Sequence, residues 1–144
     1  MRIRLATRAD IEAMHAVRVG VRENRLVSAA ITPADYEREI ELTGRGWVAE
    51  VDGRLVAFAV GNARTGNIWA LFVHPDHERR GIGRRLHDTL VAWLFDSGLT
   101  RLWLTTAPST RAFEFYLAAG WRLAGTTSNG EQRLELAPSA RYEC

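Results

Sequence analysis

At 144 residues, with 47% apolar content and a formal net charge of +2, the chain has the size of one domain, able to bury roughly 68–70% of its unfolded surface. All 19 basic residues are arginines, which excludes Schiff-base lysine chemistry and the lysine of a nucleoside-triphosphate loop, and the small net charge lacks the footprint of a nucleic-acid-binding module. No apolar run approaches the roughly 20 residues that span a membrane, Met1 to Asp10 precede no apolar signal block, and the single cysteine, Cys144, excludes an internal disulfide or a cysteine metal cage, so a cytoplasmic protein without membrane contact is expected, with the arginine bias pointing to a GC-rich bacterial genome.

Arg2 to Ala6 reads as a short strand. Thr7 to Asp10 has the spacing of a capping box, a hydroxyl with an acid three residues on. Ile11, Met14, Val17 and Val21 then repeat at helical spacing. Thr32-Pro33-Ala34-Asp35 is a second cap with proline at the first helical position. Tyr36 and Ile40 give that helix an apolar edge, and Gly44 ends it. Trp47 to Val51 and Leu55 to Val60 are β-rich runs joined by Asp52-Gly53, a hairpin signal.

Ile68 to Val73 is apolar throughout, which predicts a central strand covered on both faces and stopped by His74-Pro75. The pattern from Gly83 to Ser97 is helical, with Leu86, Leu90, Trp93 and Leu94 on one face, and Gly98 caps it. Leu102 to Thr106 is a strand. Ala112, Phe115, Tyr116 and Ala119 form a further helical stripe that Gly120 ends. Trp121 to Thr127 and Gln132 to Leu136 make a closing hairpin around Asn129-Gly130, and the tail from Pro138 is expected to fray. No repeat, linker or low-complexity run divides the chain, so residues 1–144 read as a single domain. The order β-α-α-β-β-β-α-β-α-β-β predicts an α/β (α+β) fold with a mixed, mostly antiparallel central sheet flanked by helices. Residues 68 to 106 form a strand–helix–strand unit that should set two parallel strands side by side.

Between the apolar strand and its helix lies Arg79-Arg80-Gly81-Ile82-Gly83-Arg84. Glycines there let backbone N–H groups approach an anion closely. The helix N-terminus adds a partial positive charge worth roughly 0.3–1 kcal/mol per anionic group, and arginines add hydrogen bonds for phosphate oxygens. The ligand this suits carries a diphosphate. A dinucleotide fingerprint would need a third small residue where Leu86 stands. Taken alone, the turn reads equally as a tight turn with solvated arginines. His74, His77 and Glu78 are not in zinc-protease order and lack an evident third ligand, so no metal is expected. No Gly-x-Ser-x-Gly elbow marks a serine hydrolase.

The stretch Leu71 to Leu86, with Val73-x-Pro75 ahead of Arg79-Arg80-Gly81-Ile82-Gly83, resembles the acetyl-CoA signature of the GNAT superfamily of N-acetyltransferases, Gln/Arg-x-x-Gly-x-Gly/Ala. Ser109 to Trp121 is similar to the second signature, Asn-x-x-Ala-x-x-x-Tyr followed by Gly-Phe. The element order over residues 2 to 136 matches as well. Three positions depart from the pattern: Glu78 stands at the Gln/Arg position, Ser109 at the Asn, keeping a cap and a polar group, and Trp121 at the Phe.

The resemblance implies direct transfer of acetyl from acetyl-CoA to an amine, with no metal. It implies a cofactor site of Leu71, Phe72, Val73, Arg79, Arg80, Gly81, Ile82, Gly83, Arg84 and Ser109. A backbone N–H of Leu71, Phe72 or Val73 would polarise the thioester carbonyl, and Tyr116 would be the general acid for the leaving thiolate. By position alone Tyr116 reads as a core tyrosine; the motif around it makes it the acid. A lysine-like amine of pKa about 10.4 is neutral in roughly one molecule per 2,500 at pH 7, which costs about 4.6 kcal/mol and calls for a base. The strand before the turn carries no acid. Glu50, Glu23, His15 and His74 are candidates, none assigned. The acceptor is expected between the first two helices and the facing strands, near Arg22, Asn24 and Trp69, with Trp47 and Trp103 as further apolar wall. The second reading is a non-catalytic domain that holds an acyl-CoA as a sensor or assembly partner. GNAT-type domains are often homodimers.

Overall fold

The computed structural model describes residues 1–21 and 31–138. Strand β1 (Arg2–Leu5) leads through a tight turn into helix α1 (Ile11–Gly20). The turn is held by the reciprocal bonds of Thr7 and Asp10. Helix α2 (Pro33–Glu37) opens on the Thr32–Asp35 capping box, with Thr32 N–H donating to Asp35 Oδ2 at 2.8 Å. It runs on through a π-helical turn, Arg38–Leu42, into β2 (Gly44–Val51). Gly44 is required there, because a Cβ would lie 1.8 Å from the Gly61 carbonyl oxygen. Strands β2 and β3 (Arg54–Asn62) are joined at Asp52-Gly53, where both residues take positive φ, 53° and 77°, as a two-residue hairpin of the favoured twist requires.

Strand β4 (Ile68–Val73), helix α3 (Ile82–Asp96), strand β5 (Leu102–Thr106), helix α4 (Arg111–Ala118) and the hairpin β6 (Arg122–Thr126) and β7 (Gln132–Leu136) complete the chain. The strands form two antiparallel ladders, β1-β2-β3-β4 and β5-β7-β6. The elements fall where sequence periodicity predicts them, within a few residues. The parallel pairing does not: β4 meets β5 only at a single parallel bridge, Asn67 to Trp103. The apolar run of β4 is therefore covered on both faces but open along most of one edge.

Alternation along the strands sorts the core. Trp47, Ala49, Ala57 and Ala59 turn to one face and pack with Leu86, Leu90 and Leu94 of α3. Val48, Phe58, Val60 and Ala70 turn to the other, under Ile11, Met14 and Val17 of α1 and Tyr36 of α2. Small residues let α3 lie close to the sheet; a Cβ on Gly61 would come within 2.7 Å of Leu90. No helix among the described residues is long and apolar enough to cross a membrane.

An ion pair ties β1 to the start of α1. Arg4 donates from Nη1 and Nη2 to the two oxygens of Asp10, at 2.8 Å each, and Thr7 N–H adds a third bond at 2.8 Å. The guanidinium beside Asp10 holds its carboxyl below the usual range despite partial burial. Because the unfolded chain takes up this proton at higher pH than the fold, the pair's stability is present above about pH 4 and is lost as pH falls through the lower folded value. Asp10→Asn is expected to lower unfolding free energy at pH 7 by about 1–3 kcal/mol in urea titrations. The gap from wild type should narrow progressively as pH is lowered below about 4; a constant gap would remove Asp10 as its source.

Candidate active site

The divergence of β4 from β5 opens a wedge at the C-terminal end of both strands. Register fixes what its β4 wall presents. His74 N–H donates to the Val56 carbonyl at 2.7 Å, and the same register pairs Phe72 with Phe58 and Val73 with Ala57. Hydrogen-bonded and non-bonded pairs alternate in an antiparallel ladder. The Phe72 N–H is thus turned to Phe58, and the N–H groups of Leu71 and Val73 are turned to the open edge.

Two cavities meet in the wedge. The first, about 630 Å³, is lined by Leu71, Phe72, Val73, the turn residues Arg79, Gly81, Ile82, Gly83 and Arg84, and Arg111, Ala112, Phe115 and Tyr116 of α4. The second, about 510 Å³, lies on the α1 side and is lined by Arg18, Trp69, Trp103, Thr105, Thr106, Asn129 and Glu131 among others. Leu71, Phe72, Ala112 and Tyr116 line both.

At the mouth of the first cavity Gly81 caps α3 with φ +80° and no side-chain hydrogen bond, and the first helical turn holds no acid. The leading amides of this 15-residue helix are therefore not claimed by a capping side chain, which makes an anion site at a helix N-terminus. Arg79, with φ 63°, is a non-glycine residue in the left-handed region, a strained conformation of the kind that collects at ligand sites. Gly83 lets α3 approach β4, since a Cβ would touch Val73 at 3.3 Å. Arg80 lies outside the lining and approaches His77 at 3.5 Å. Glu78, the departure from the signature, accepts a hydrogen bond from Arg111 Nη1 across the cavity.

Ser109 lies outside both linings, with φ 62°. The cap expected of it is made by Thr110, whose Oγ1 accepts from Phe113 N–H at 3.1 Å. The reason is geometric: an N-cap residue takes extended backbone angles, and Thr110 has them while Ser109 is left-handed.

Tyr116 is buried, at 6% exposure, where it borders both cavities. Burial pushes its phenol well above the ordinary tyrosine value. No described residue hydrogen-bonds its hydroxyl. Its floor is built by His87. Trp121 Nε1–H donates to His87 Nε2 at 2.9 Å, so the other ring nitrogen carries the proton and donates to Asp88 Oδ1, also at 2.9 Å. Asp88 accepts in addition from Arg84 Nε at 3.1 Å. Tyr116 stacks edge-on against Trp121 with ring centroids 5.3 Å apart.

The residues weighed as the base stand elsewhere. Glu50 is paired with Arg4 at 3.0 Å on β2. His15 Nδ1 contacts the Tyr36 hydroxyl at 2.9 Å, and His74 Nδ1 accepts from Asp76 N–H at 3.1 Å. None of the three lines either cavity. Arg22, Glu23 and Asn24 lie outside the described residues. Trp69 does line the second cavity, as does Trp103, while Trp47 is core against Trp93 at 5.6 Å.

One residue of the second cavity was not singled out in the sequence. Arg18 follows Ile11 and Met14 at i+7 and i+4, which puts it on the buried stripe of α1, and it is 6% exposed. The signal for it is an arginine at an apolar position of a helical repeat. Among the described residues no three of His, Cys, Asp and Glu converge on a metal-sized group.

The Trp121–His87 bond gives a stability test. His87→Leu leaves a buried indole N–H without its acceptor and should cost about 1–3 kcal/mol in urea unfolding. A loss under about 0.5 kcal/mol would show that the bond contributes little.

Comparisons with known proteins agree with this geometry. Residues 14–121 match the family described as the acetyltransferase (GNAT) family. The L-2,4-diaminobutyric acid acetyltransferase of Nocardia farcinica is 34% identical over 90 residues, covering 59% of this chain and 47% of that protein, so the chain matches about half of that relative's length. The PaiA N-acetyltransferase of Thermoplasma acidophilum, solved in complex with coenzyme A, superposes with a TM-score of 0.78 at 16% identity, over 96% of this chain and 100% of that one. An N-acetyltransferase of Staphylococcus aureus Mu50 gives 0.80 at 18% identity, over 94% and 97%. At such identities the two structures show a shared fold. With the family matched across most of its length, the chain belongs to the acetyltransferase (GNAT) family.

Proposed function

We propose that the chain acts as one acetyltransferase domain that binds acetyl-CoA in the first cavity and transfers its acetyl group directly to an amine entering from the second. The observation that carries this is the meeting of the two cavities at Tyr116, with an uncapped helix N-terminus at the far end of the first. The Nocardia relative is named for an amine acceptor, diaminobutyric acid, and the Thermoplasma neighbour holds coenzyme A; both favour the same reading.

The residues present fit the ligand. The amides after Gly81, with Arg79 and Arg84 beside them, suit a diphosphate. The channel from there is walled by Leu71, Val73, Ala112 and Phe115, which suits an apolar arm with few amides, and the unpaired N–H groups of β4 supply partners for those amides. Acetyl-CoA, when bound, supplies the acyl group as a thioester.

The chain's own groups do the rest. The Leu71 or Val73 N–H donates to a carbonyl oxygen lying along the β4 edge, and such fixed donors strengthen as negative charge builds on that oxygen. Tyr116 holds a proton beside the junction and gives it to the departing sulfur. Burial weakens the phenol as an acid, but the same apolar surroundings raise the proton affinity of a thiolate left there, so the transfer stays matched. The aromatic floor of Phe115, Tyr116 and Trp121 excludes water from the thioester. Removing the amine's proton falls to solvent or to Glu131, the one acid among the described residues that line the second cavity.

Tyr116→Phe is expected to bind acetyl-CoA with wild-type affinity in calorimetry and to slow thiol release with amines at least about tenfold. An unchanged rate would take Tyr116 out of the acid role. Gly81→Glu should abolish acetyl-CoA binding, because it sets a carboxylate against the diphosphate and a side chain at φ +80°; retained affinity would move the phosphate site elsewhere. Binding of acetyl-CoA without thiol release to any amine would favour the sensor reading.

The pH profile follows from the raised phenol. Tyr116 must be protonated to act, and a raised pKa extends that form to higher pH. The turnover rate at saturation should therefore show no falling limb from this residue below about pH 10, where ordinary tyrosines ionise. A limb near pH 8 that Tyr116→Phe removes would contradict it.

A further inference from the structure

We propose that Arg18 is a specificity residue that binds the carboxylate of the acceptor, so that the amine acetylated belongs to a small amino acid rather than to a simple amine. The assignment of the second cavity as the acceptor side rests on the function proposed above; the binding of a carboxylate there by Arg18 is tested separately.

Arg18 is a charged side chain on the buried face of α1, 6% exposed, and it borders the second cavity. Its guanidinium carbon lies over two rings, 4.8 Å from the centre of Trp69 and 4.9 Å from that of Phe72. The Tyr36 hydroxyl lies close enough to feel the cation's charge and is itself held by His15 Nδ1 at 2.9 Å. Yet Nε and Nη1 have no hydrogen-bond acceptor among the described residues, and no ion pair joins Arg18 to a described acid. Buried arginines are ordinarily paired, because a desolvated charge without a counter-charge is costly. The half-buried Arg4 is paired in this way: it forks onto Asp10 and reaches Glu50.

What Arg18 lacks is an anion, and the cavity is where one can arrive. The one described acid in the lining, Glu131, already takes the Asn129 amide at 3.2 Å. A guanidinium is a planar fork, which favours a planar acceptor. A carboxylate matches that plane and the single positive charge; a phosphate brings more charge than one arginine balances. Arg18 is nearly buried where it borders the cavity, so a carboxylate that reaches it must enter the cavity, which suits a free small molecule over a residue embedded in a protein chain. Carboxylate at Arg18 and amine toward Tyr116 then orient one molecule across the cavity.

The test compares amines that differ only in this group. Alanine with ethylamine, phenylalanine with phenethylamine, and ornithine with putrescine would be titrated calorimetrically into the protein with and without saturating coenzyme A. Ornithine amide stands for a residue within a chain and phosphoethanolamine for the phosphate. At least one carboxylated member should bind about 30-fold or more tightly than its decarboxylated partner. Arg18→Met should reduce that ratio to within about threefold while leaving coenzyme A affinity unchanged. Arg18→Lys, which keeps the charge but not the plane, should retain part of it and serves as the comparison if the Met variant does not fold.

The proposal is overturned if no carboxylated member outbinds its partner, if the preference survives in Arg18→Met or in full in Arg18→Lys, or if the amide or the phosphate binds as well as the carboxylate. Carboxylate binding with no acetyl transfer would instead sink the transferase reading and leave the anchor standing.

Discussion

The failure of β4 and β5 to pair beyond the Asn67–Trp103 bridge is the constraint from which the rest of the site follows. A strand edge that leaves its ladder carries unpaired N–H and C=O groups, and buried groups of that kind need partners. Along β4 those groups belong to Leu71 and Val73, because Phe72 is turned to β3. Tyr116 of α4 stands at the junction of the two cavities in that opening. One broken pairing thus opens the channel and leaves hydrogen-bond donors along it, with Tyr116 at its end.

Positive charge is distributed differently at the two ends of the channel. At one end the positive character is diffuse, arising from the amides after Gly81 and from arginines that remain near solvent. Glu78 would oppose an anion there, but its carboxylate takes Arg111, so much of its charge is spent within the protein. At the other end the positive character is concentrated in the single guanidinium of Arg18, set over two rings and sheltered from water. Low local dielectric makes that one charge count for more than several at the surface.

Most of this architecture is legible in the chain. Capping boxes at Thr7 and Thr32, the Asp52-Gly53 turn and the periodicity of Leu86, Leu90 and Leu94 predict their elements because each depends on neighbours in sequence. The split of the sheet does not, since whether two strands pair is decided by what separates them in space. The apolar run Ile68 to Val73 reads as a central strand for a sound reason, burial on both faces, yet burial says nothing about its edges. Ser109 and Thr110 look equally able to cap a helix; only the backbone angle at each decides between them. Arg18 escapes attention because a charged residue within a helical repeat reads as a solvated one, whereas the spacing from Ile11 and Met14 already put it on the buried stripe.

The layer beneath the junction links these parts. An indole can only donate, so the Trp121 bond fixes which nitrogen of His87 bears its proton. That proton is directed to Asp88, which also holds Arg84 at the start of α3. The chain from Arg84 to Trp121 therefore runs from the anion-binding turn to the ring packed against Tyr116. A protonated His87 would set its Nε2–H against the Trp121 N–H, so the arrangement admits one tautomer and one ring orientation. The spacing between the Gly81 turn and Tyr116 is thereby set by directional bonds rather than by packing alone, and the transfer proposed above, which depends on fixed geometry, would benefit from that rigidity.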